Sequence, residues 1–294
     1  DGKVFISGDK VYAFDAADGT LVWAYDLPHD ACNGGPMVVN GKVYAGDWDG
    51  HHYYCLDANS TDTYGTLLWS FEVTGYAQGV PAFYNDGGDG RIYLTSWTSG
   101  GGYVYCVNAA TGDLIWHGQV ALDTCGSPMV AEGKVWVTTY NFSGFGTLLA
   151  FDVNDLGNDG VGDIVWGPVP IERTNSTPGY WNGRIYVSGG CYGYSNEGER
   201  TYCFDIATES LLWQTPVDLG AGNWTCSVAV ADGLVFVGKP APGGPMAFDY
   251  QALYALDAAT GAEVWHYDHG GASPSVAGGR VFTVAEGKVW AFED

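Results

Sequence analysis

The stretch Ala255–Leu256–Asp257–Ala258–Ala259–Thr260–Gly261–Ala262–Glu263–Val264–Trp265 decides the fold, because the chain keeps returning to it. Residues 104–116 read Val-Tyr-Cys-Val-Asn-Ala-Ala-Thr-Gly-Asp-Leu-Ile-Trp, and residues 11–23 read Val-Tyr-Ala-Phe-Asp-Ala-Ala-Asp-Gly-Thr-Leu-Val-Trp. The tryptophans that close the phrase, Trp23, Trp69, Trp116, Trp166, Trp213 and Trp265, stand 46 to 52 residues apart. Self-similarity at that period marks an array of one supersecondary unit.

Each unit parses into four short strands. In the second, residues 35–39 form the first strand and Asn40-Gly41 a tight hairpin turn. Residues 42–46 form the second strand, 53–57 the third, and 67–72 the outer, tryptophan-bearing one. Alternation of apolar with small or polar residues suits strands packed face to face. Four-stranded antiparallel units repeated in this way make an all-β propeller. The reading is one domain over residues 1–294 with seven blades, six or eight being the alternatives. Residues 2–15 align with 279–293, so the first unit lacks its inner strand and the last its outer one. Open strand edges invite pairing. The terminal units therefore close internally or take a strand from a neighbour, the latter giving an oligomer or filament. The large indole is expected to reach the adjacent blade and find a partner for its N–H there.

The phrase resembles the PQQ-like (quinoprotein-type) β-propeller repeat, Ala-x-Asp-x-x-Thr-Gly-x-x-x-Trp, which residues 255–265 match throughout. Asn108 stands for Asp in the third unit, and the turns leading to Trp69 and Trp166 are longer. The resemblance covers the whole chain and implies the fold. It does not imply one activity, because the family holds quinone-dependent dehydrogenases, assembly scaffolds and surface proteins alike.

Net charge of −23 disfavours nucleic acid. The longest apolar runs are strand-length, so no span of the membrane is expected. Seven cysteines occur without a C-x-x-C spacing. Cys55, Cys106 and Cys203 occupy the position that Ala13, Ala150, Ala255 and Ala291 fill elsewhere. Cys replaces a small buried Ala there, or Cys106–Cys125 and Cys203–Cys226 are disulfides. Asn59, Asn141, Asn175 and Asn223 open glycosylation sequons. Together these favour an extracellular or cell-surface location, as a mature secreted form.

The loops of one face are minimal and those of the other are aromatic. Trp48, His51, Trp97, Tyr140, Arg173, Tyr192 and Trp224 are the candidate ligand-face residues, with a composition typical of recognition loops. Asp155, Asn158, Asp159 and Asp163 form a candidate calcium loop, although Gly157 sits where an EF-hand would place a ligand. A quinone and calcium site would need cations for three carboxylates, and only Arg173, Arg200 and Lys239 are placed for it. The expected function is non-enzymatic: a recognition or self-assembling structural module at the cell surface that meets a protein or a glycan. Carbohydrate binding and PQQ/calcium-dependent oxidation are the alternatives; no catalytic residue and no bound cofactor are expected.

Overall fold

The computed structural model describes residues 2–29, 32, 34–141, 144–191, 198–242 and 249–293. It is an all-β propeller of seven antiparallel sheets, and its one described helical turn is a 3-10 segment, Val217–Leu219. The chain divides into two compact units, Asp1–Val135 with Phe151–Asp163, and Trp136–Ala150 with Ile164–Asp294.

In the first unit, β1 (Lys3–Ser7), β2 (Lys10–Asp15) and β3 (Leu21–Asp26) make a three-stranded sheet. The next holds β4 (Met37–Val39), β5 (Lys42–Asp47), β6 (His52–Asp57) and β7 (Leu67–Glu72) in sequence order. In the third, β8 (Tyr76–Ala77) and β9 (Ala82–Tyr84) both pair with β10 (Arg91–Thr98), followed by β11 (Gly101–Asn108) and β12 (Leu114–Val120). The fourth sheet is β13 (Met129–Ala131), β14 (Lys134–Tyr140), β15 (Phe145–Asp152) and β16 (Ile164–Glu172). In the second unit, β17 (Gly179–Trp181), β18 (Arg184–Gly189), β19 (Arg200–Asp205) and β20 (Leu211–Gln214) make the fifth sheet. The sixth is β21 (Ala229–Ala231), β22 (Leu234–Pro240), β23 (Tyr250–Asp257) and β24 (Glu263–Tyr267). The last, β25 (Ala272–Ala277), β26 (Arg280–Ala285) and β27 (Lys288–Glu293), again has three strands, as the alignment of the two ends requires.

The repeated letters each have a mechanical reason. Asn40 and Gly41 both take positive φ, 51° and 73°, as the two-residue hairpin demands. The Asp of the phrase opens an Asx turn: Asp257 Oδ1 accepts the Ala259 and Thr260 N–H groups at 3.0 and 2.8 Å. Asn108 does the same for Ala110 and Thr111, which is why Asn can stand there. The next residue's carbonyl is the junction. Ala109 O accepts Lys42 Nζ at 2.8 Å, Tyr44 OH at 3.3 Å and Trp69 Nε1 at 3.3 Å, all from the preceding blade. Val153 O accepts Arg91 Nη1, Tyr93 OH and Trp116 Nε1 at 2.5, 2.9 and 3.4 Å. Ala258 O accepts Arg184 Nη1, Tyr186 OH and Trp213 Nε1 at 3.2, 3.0 and 3.1 Å. A carbonyl oxygen has two lone pairs, so three donors share it, and at Val153 the indole bond is the longest of the three.

The glycine of the phrase serves the same contact. A Cβ on Gly112 would lie 2.7 Å from the Trp69 ring, and one on Gly261 2.5 Å from that of Trp213. Both also hold positive φ, 78° and 73°. In the fifth blade Glu209 occupies this place at φ 58°, a conformation that costs a non-glycine residue about 1–2 kcal/mol.

These contacts set three expectations for denaturant unfolding. Tyr93→Phe, which removes one donor from Val153 O, lowers stability by about 1 kcal/mol, while Tyr12→Phe, whose exposed hydroxyl reaches Asp9, changes nothing measurable. Trp116→Ala costs about 3–5 kcal/mol. Glu209→Gly raises stability by about 1 kcal/mol; a loss instead would show that its left-handed backbone carries no strain.

Candidate recognition face

In the first unit a row of aromatic rings is built on loop residues clamped from below. Asp47 ends β5 and is fully buried. Its Oδ1 accepts the Gly50 N–H at 3.3 Å and its Oδ2 the His29 N–H at 3.2 Å, which turns residues 48–51 back on themselves. Trp48 and His51 thereby both meet Tyr76, each at a ring-centroid distance of 5.3 Å. Tyr76 is held by β8, which pairs it with Trp97 across β10 and sets their rings 4.8 Å apart. Ser96 Oγ donates to Thr74 O at 2.6 Å and the Thr74 N–H donates to Tyr105 OH at 2.8 Å, fixing the segment that leads into β8. The Trp97 indole donates to Gln78 Oε1 at 3.0 Å. Trp48, Tyr76 and Trp97 are half-buried and His51 is exposed. Pattern reading selected three of these residues. It did not select Tyr76, the ring that joins them, because its place depends on a two-residue strand too short to leave a signal.

In the second unit the expected ligand face is corrected. Tyr140, Arg173 and Trp224 are 3%, 0% and 4% exposed. Their loops lock together: the Gly190 N–H donates to Arg173 O, Trp224 N–H to Gly190 O and Asn175 N–H to Trp224 O, at 2.8–2.9 Å. Tyr140 and Trp224 pack edge to face at 6.0 Å. These side chains are packing between loops, not surface for a ligand. Tyr192 lies outside the described residues. Of the sequons, Asn223 is 1% exposed and donates to Tyr250 OH at 3.3 Å, which leaves no room for a glycan. Asn141 and Asn175 are half-buried, and Asn59 is exposed.

The two expected disulfides are absent: Cys106, Cys203 and Cys226 are thiols. The register explains why cysteine stands at an alanine position. Cys55, Cys106 and Cys203 lie opposite Tyr44, Tyr93 and Tyr186. Ala13 and Ala255 lie opposite Phe5 and Phe236. Each tyrosine donates its hydroxyl proton to the junction carbonyl, and the thiol across the strand pair from it is fully buried. Burial pushes the Cys55 and Cys106 thiols up to about 12 and those of Cys203 and Cys226 up to about 11.

The acidic loop does not fit a calcium ion. Asp155 accepts the Asp159 and Gly160 N–H groups at 3.2 and 2.7 Å, Asp159 that of Val161 at 3.0 Å, and Asp163 that of Leu156 at 2.8 Å. The carboxylates cap separate amides and do not converge with Asn158 into a cage. The loop instead docks on β12, where Val161 bridges His117 and Gly162 meets the Trp116 ring. Among the described residues no group of three His, Cys, Asp or Glu side chains is arranged to hold a metal. Arg200 Nη1 is committed to Thr215 O at 3.3 Å and Lys239 Nζ to Leu219 O at 3.0 Å.

A family model described as outer membrane protein assembly factor BamB matches residues 1–80, 56–166 and 197–294. Tetrathionate hydrolase of Acidithiobacillus ferrooxidans is 22% identical over 96% of this chain and 68% of its own length. Quinohemoprotein alcohol dehydrogenase ADH-IIG of Pseudomonas putida is 31% identical, over 46% of this chain and 21% of its own length. The chain therefore spans only part of these relatives. Among solved structures, BamB from Moraxella catarrhalis superposes with a TM-score of 0.68 at 15% identity, covering 98% of this chain and 80% of that one. The C-terminal domain of Pseudomonas aeruginosa PilY1 gives 0.65 at 12% identity, covering 98% and 91%. No helix among the described residues is long and apolar enough to cross a membrane.

Two measurements check the thiols and the loop. Cys106 and Cys203 alkylate in denaturant without reductant and resist alkylation in the folded protein; protection that needs reductant to remove would restore the disulfides. The fold raises the Cys106 thiol from 9.0 to about 12, favouring its protonated form, so that contribution is intact below pH 9 and is lost as pH climbs toward 12. Chelation at fixed ionic strength leaves the melting midpoint unchanged; a fall would place calcium at residues 155–163.

Proposed function

We propose, from the premise that this chain belongs to the PQQ-like β-propeller repeat family, that it is a non-catalytic recognition module binding a protein segment at the cell surface. The observation that carries this reading is the half-buried row Trp48–Tyr76–Trp97, with His51 beside it, on loops that Asp47 and β8 hold rigid. Rigid aromatic side chains supply large contact area at small entropic cost, and they are enriched where proteins meet. The family description, an assembly factor, is in keeping with such a role. An enzymatic role of the kind named for the alcohol dehydrogenase relative is disfavoured by the donor geometry, because the acidic loop caps its own amides and Arg200 and Lys239 are bonded to carbonyls. Net charge of −23 argues against nucleic acid as the partner.

The test pans a display library of extended peptides, and in parallel a glycan array, against the intact chain. The expected result is peptide binding that Trp97→Ala or Trp48→Ala weakens at least about tenfold, while Trp181→Ala, exposed on β17, leaves it intact. Binding of glycans but not peptides would make this a carbohydrate-binding protein. Dye-linked alcohol oxidation at an ordinary enzyme rate after addition of quinone and calcium would replace the reading altogether.

A further inference from the structure

The carboxylates of the first unit mostly have a structural task. Asp15, Asp18, Asp57 and Asp62 cap the amides of Ala17, Thr20, Asn59 and Tyr64 at 2.8–3.0 Å. Asp26 holds Lys10, and Asp86 holds Arg91 at 3.1 Å. Asp49 and Glu72 stand apart: both are exposed, and among the described residues neither accepts a hydrogen bond nor forms an ion pair. Both stand beside the aromatic row. Asp49 lies in the turn from Trp48 to His51 that Asp47 clamps. Glu72 is the register partner of His52 and precedes Val73, whose N–H donates to His51 O at 2.8 Å on the way to Tyr76.

The cations of the same unit are committed elsewhere. Lys42 begins β5 and Arg91 begins β10, and Trp48 and Trp97 each come six residues later. At about 3.3 Å per residue, each cation sits roughly 20 Å from the indole that its own strand leads to. Both reach into the blade junctions. Lys3 bonds to Asn59, Lys10 to Asp26, and Lys134 to Glu132 O at 3.5 Å. The indoles, for their part, offer ring faces rather than donors. The Trp97 N–H is taken by Gln78, and that of Trp48 is buried with no partner among the described residues. An indole face attracts cations through its ring quadrupole, more strongly than any other side chain does.

We propose that the Trp48–Tyr76–Trp97 row takes a basic extended segment of a partner protein, with an arginine side chain laid on the indole faces and its charge answered by Asp49 and Glu72. The inference rests on the recognition reading given above and narrows it from any protein segment to a cationic one. Arginine suits the place better than lysine, because its planar guanidinium stacks on rings and is more weakly hydrated. Net charge of −23 draws any cation toward the molecule and speeds encounter, but it does not choose the row. The choice is made by two uncommitted carboxylates set beside cation-binding rings, at a surface from which the chain's own cations are withdrawn.

The test measures, at physiological ionic strength, the binding to the intact chain of a short labelled peptide that alternates Arg and Ser, beside the same peptide with Gln or Glu in place of Arg. The Arg peptide binds, and the Gln peptide binds at least about tenfold more weakly. Trp97→Ala weakens binding of the Arg peptide at least about tenfold. The double change Asp49→Asn with Glu72→Gln, at exposed side chains, weakens it about fivefold and leaves the melting midpoint unchanged. A control that removes the same charge in the second unit, Asp218→Asn with Asp232→Asn, changes it less than about twofold. Equal weakening by the control, or binding indifferent to Trp97, reduces the attraction to diffuse charge and overturns the proposal. Binding of the Gln or Glu peptide that depends on Trp97, with no preference for Arg, also overturns it but leaves the recognition reading standing. Absence of Trp97-dependent binding by these and by panned peptides removes both.

Discussion

One backbone carbonyl per blade carries the cohesion of the repeat. It follows the acidic residue of the phrase, and the Asx turn that the acidic residue makes holds it out toward the preceding blade. Onto that oxygen converge a cation and a tyrosine hydroxyl from one strand, two residues apart, and an indole N–H from the outer strand of the same blade. A buried carbonyl without a partner is costly, and so is a buried indole N–H. The junction solves both at once, and the glycine that follows keeps the path between ring and carbonyl clear. Strand length, turn chemistry and residue size in each unit are all subordinate to bringing these groups together.

The same geometry gives cysteine a part that has nothing to do with cross-linking. Where the second strand carries tyrosine, the residue opposite is cysteine; where it carries phenylalanine, that residue is alanine. The pairing buries the thiol across from a tyrosine whose hydroxyl already donates to the junction carbonyl. It also keeps the thiol in a setting that opposes ionisation, since burial raises Cys55 and Cys106 far above the ordinary thiol range.

The architecture was legible because its determinants are local and repeated. Asn40-Gly41 declares a hairpin, the phrase ending in Trp265 declares a third strand, turn and fourth, and the alignment of residues 2–15 with 279–293 foretold two three-stranded terminal sheets. The candidate site was legible only in part, because exposure is a property of three-dimensional neighbours. Trp97 and Trp224 look alike as loop aromatics. One lies half open beside Tyr76, and the other is sealed by the Asn175 and Gly190 backbones. The acidic loop misled for a related reason: Asp and Asn are as suited to capping amides as to holding a cation, and only the direction of Asp155 and Asp163 distinguishes the two.

Not every junction is equally furnished. At Ala109, Val153 and Ala258 three donors meet. Before Ala58 the tyrosine is replaced by Phe5, Lys3 turns to Asn59, and the Trp23 indole N–H is buried with no partner among the described residues. An array whose couplings differ from neighbour to neighbour does not come apart as equal beads on a string. Heat or denaturant reaches the poorly bonded seams first, leaving clusters of blades that persist as cooperative blocks. A sequence that looks uniform along its length thus encodes an order of disassembly, written in which of its blades were given a hydroxyl.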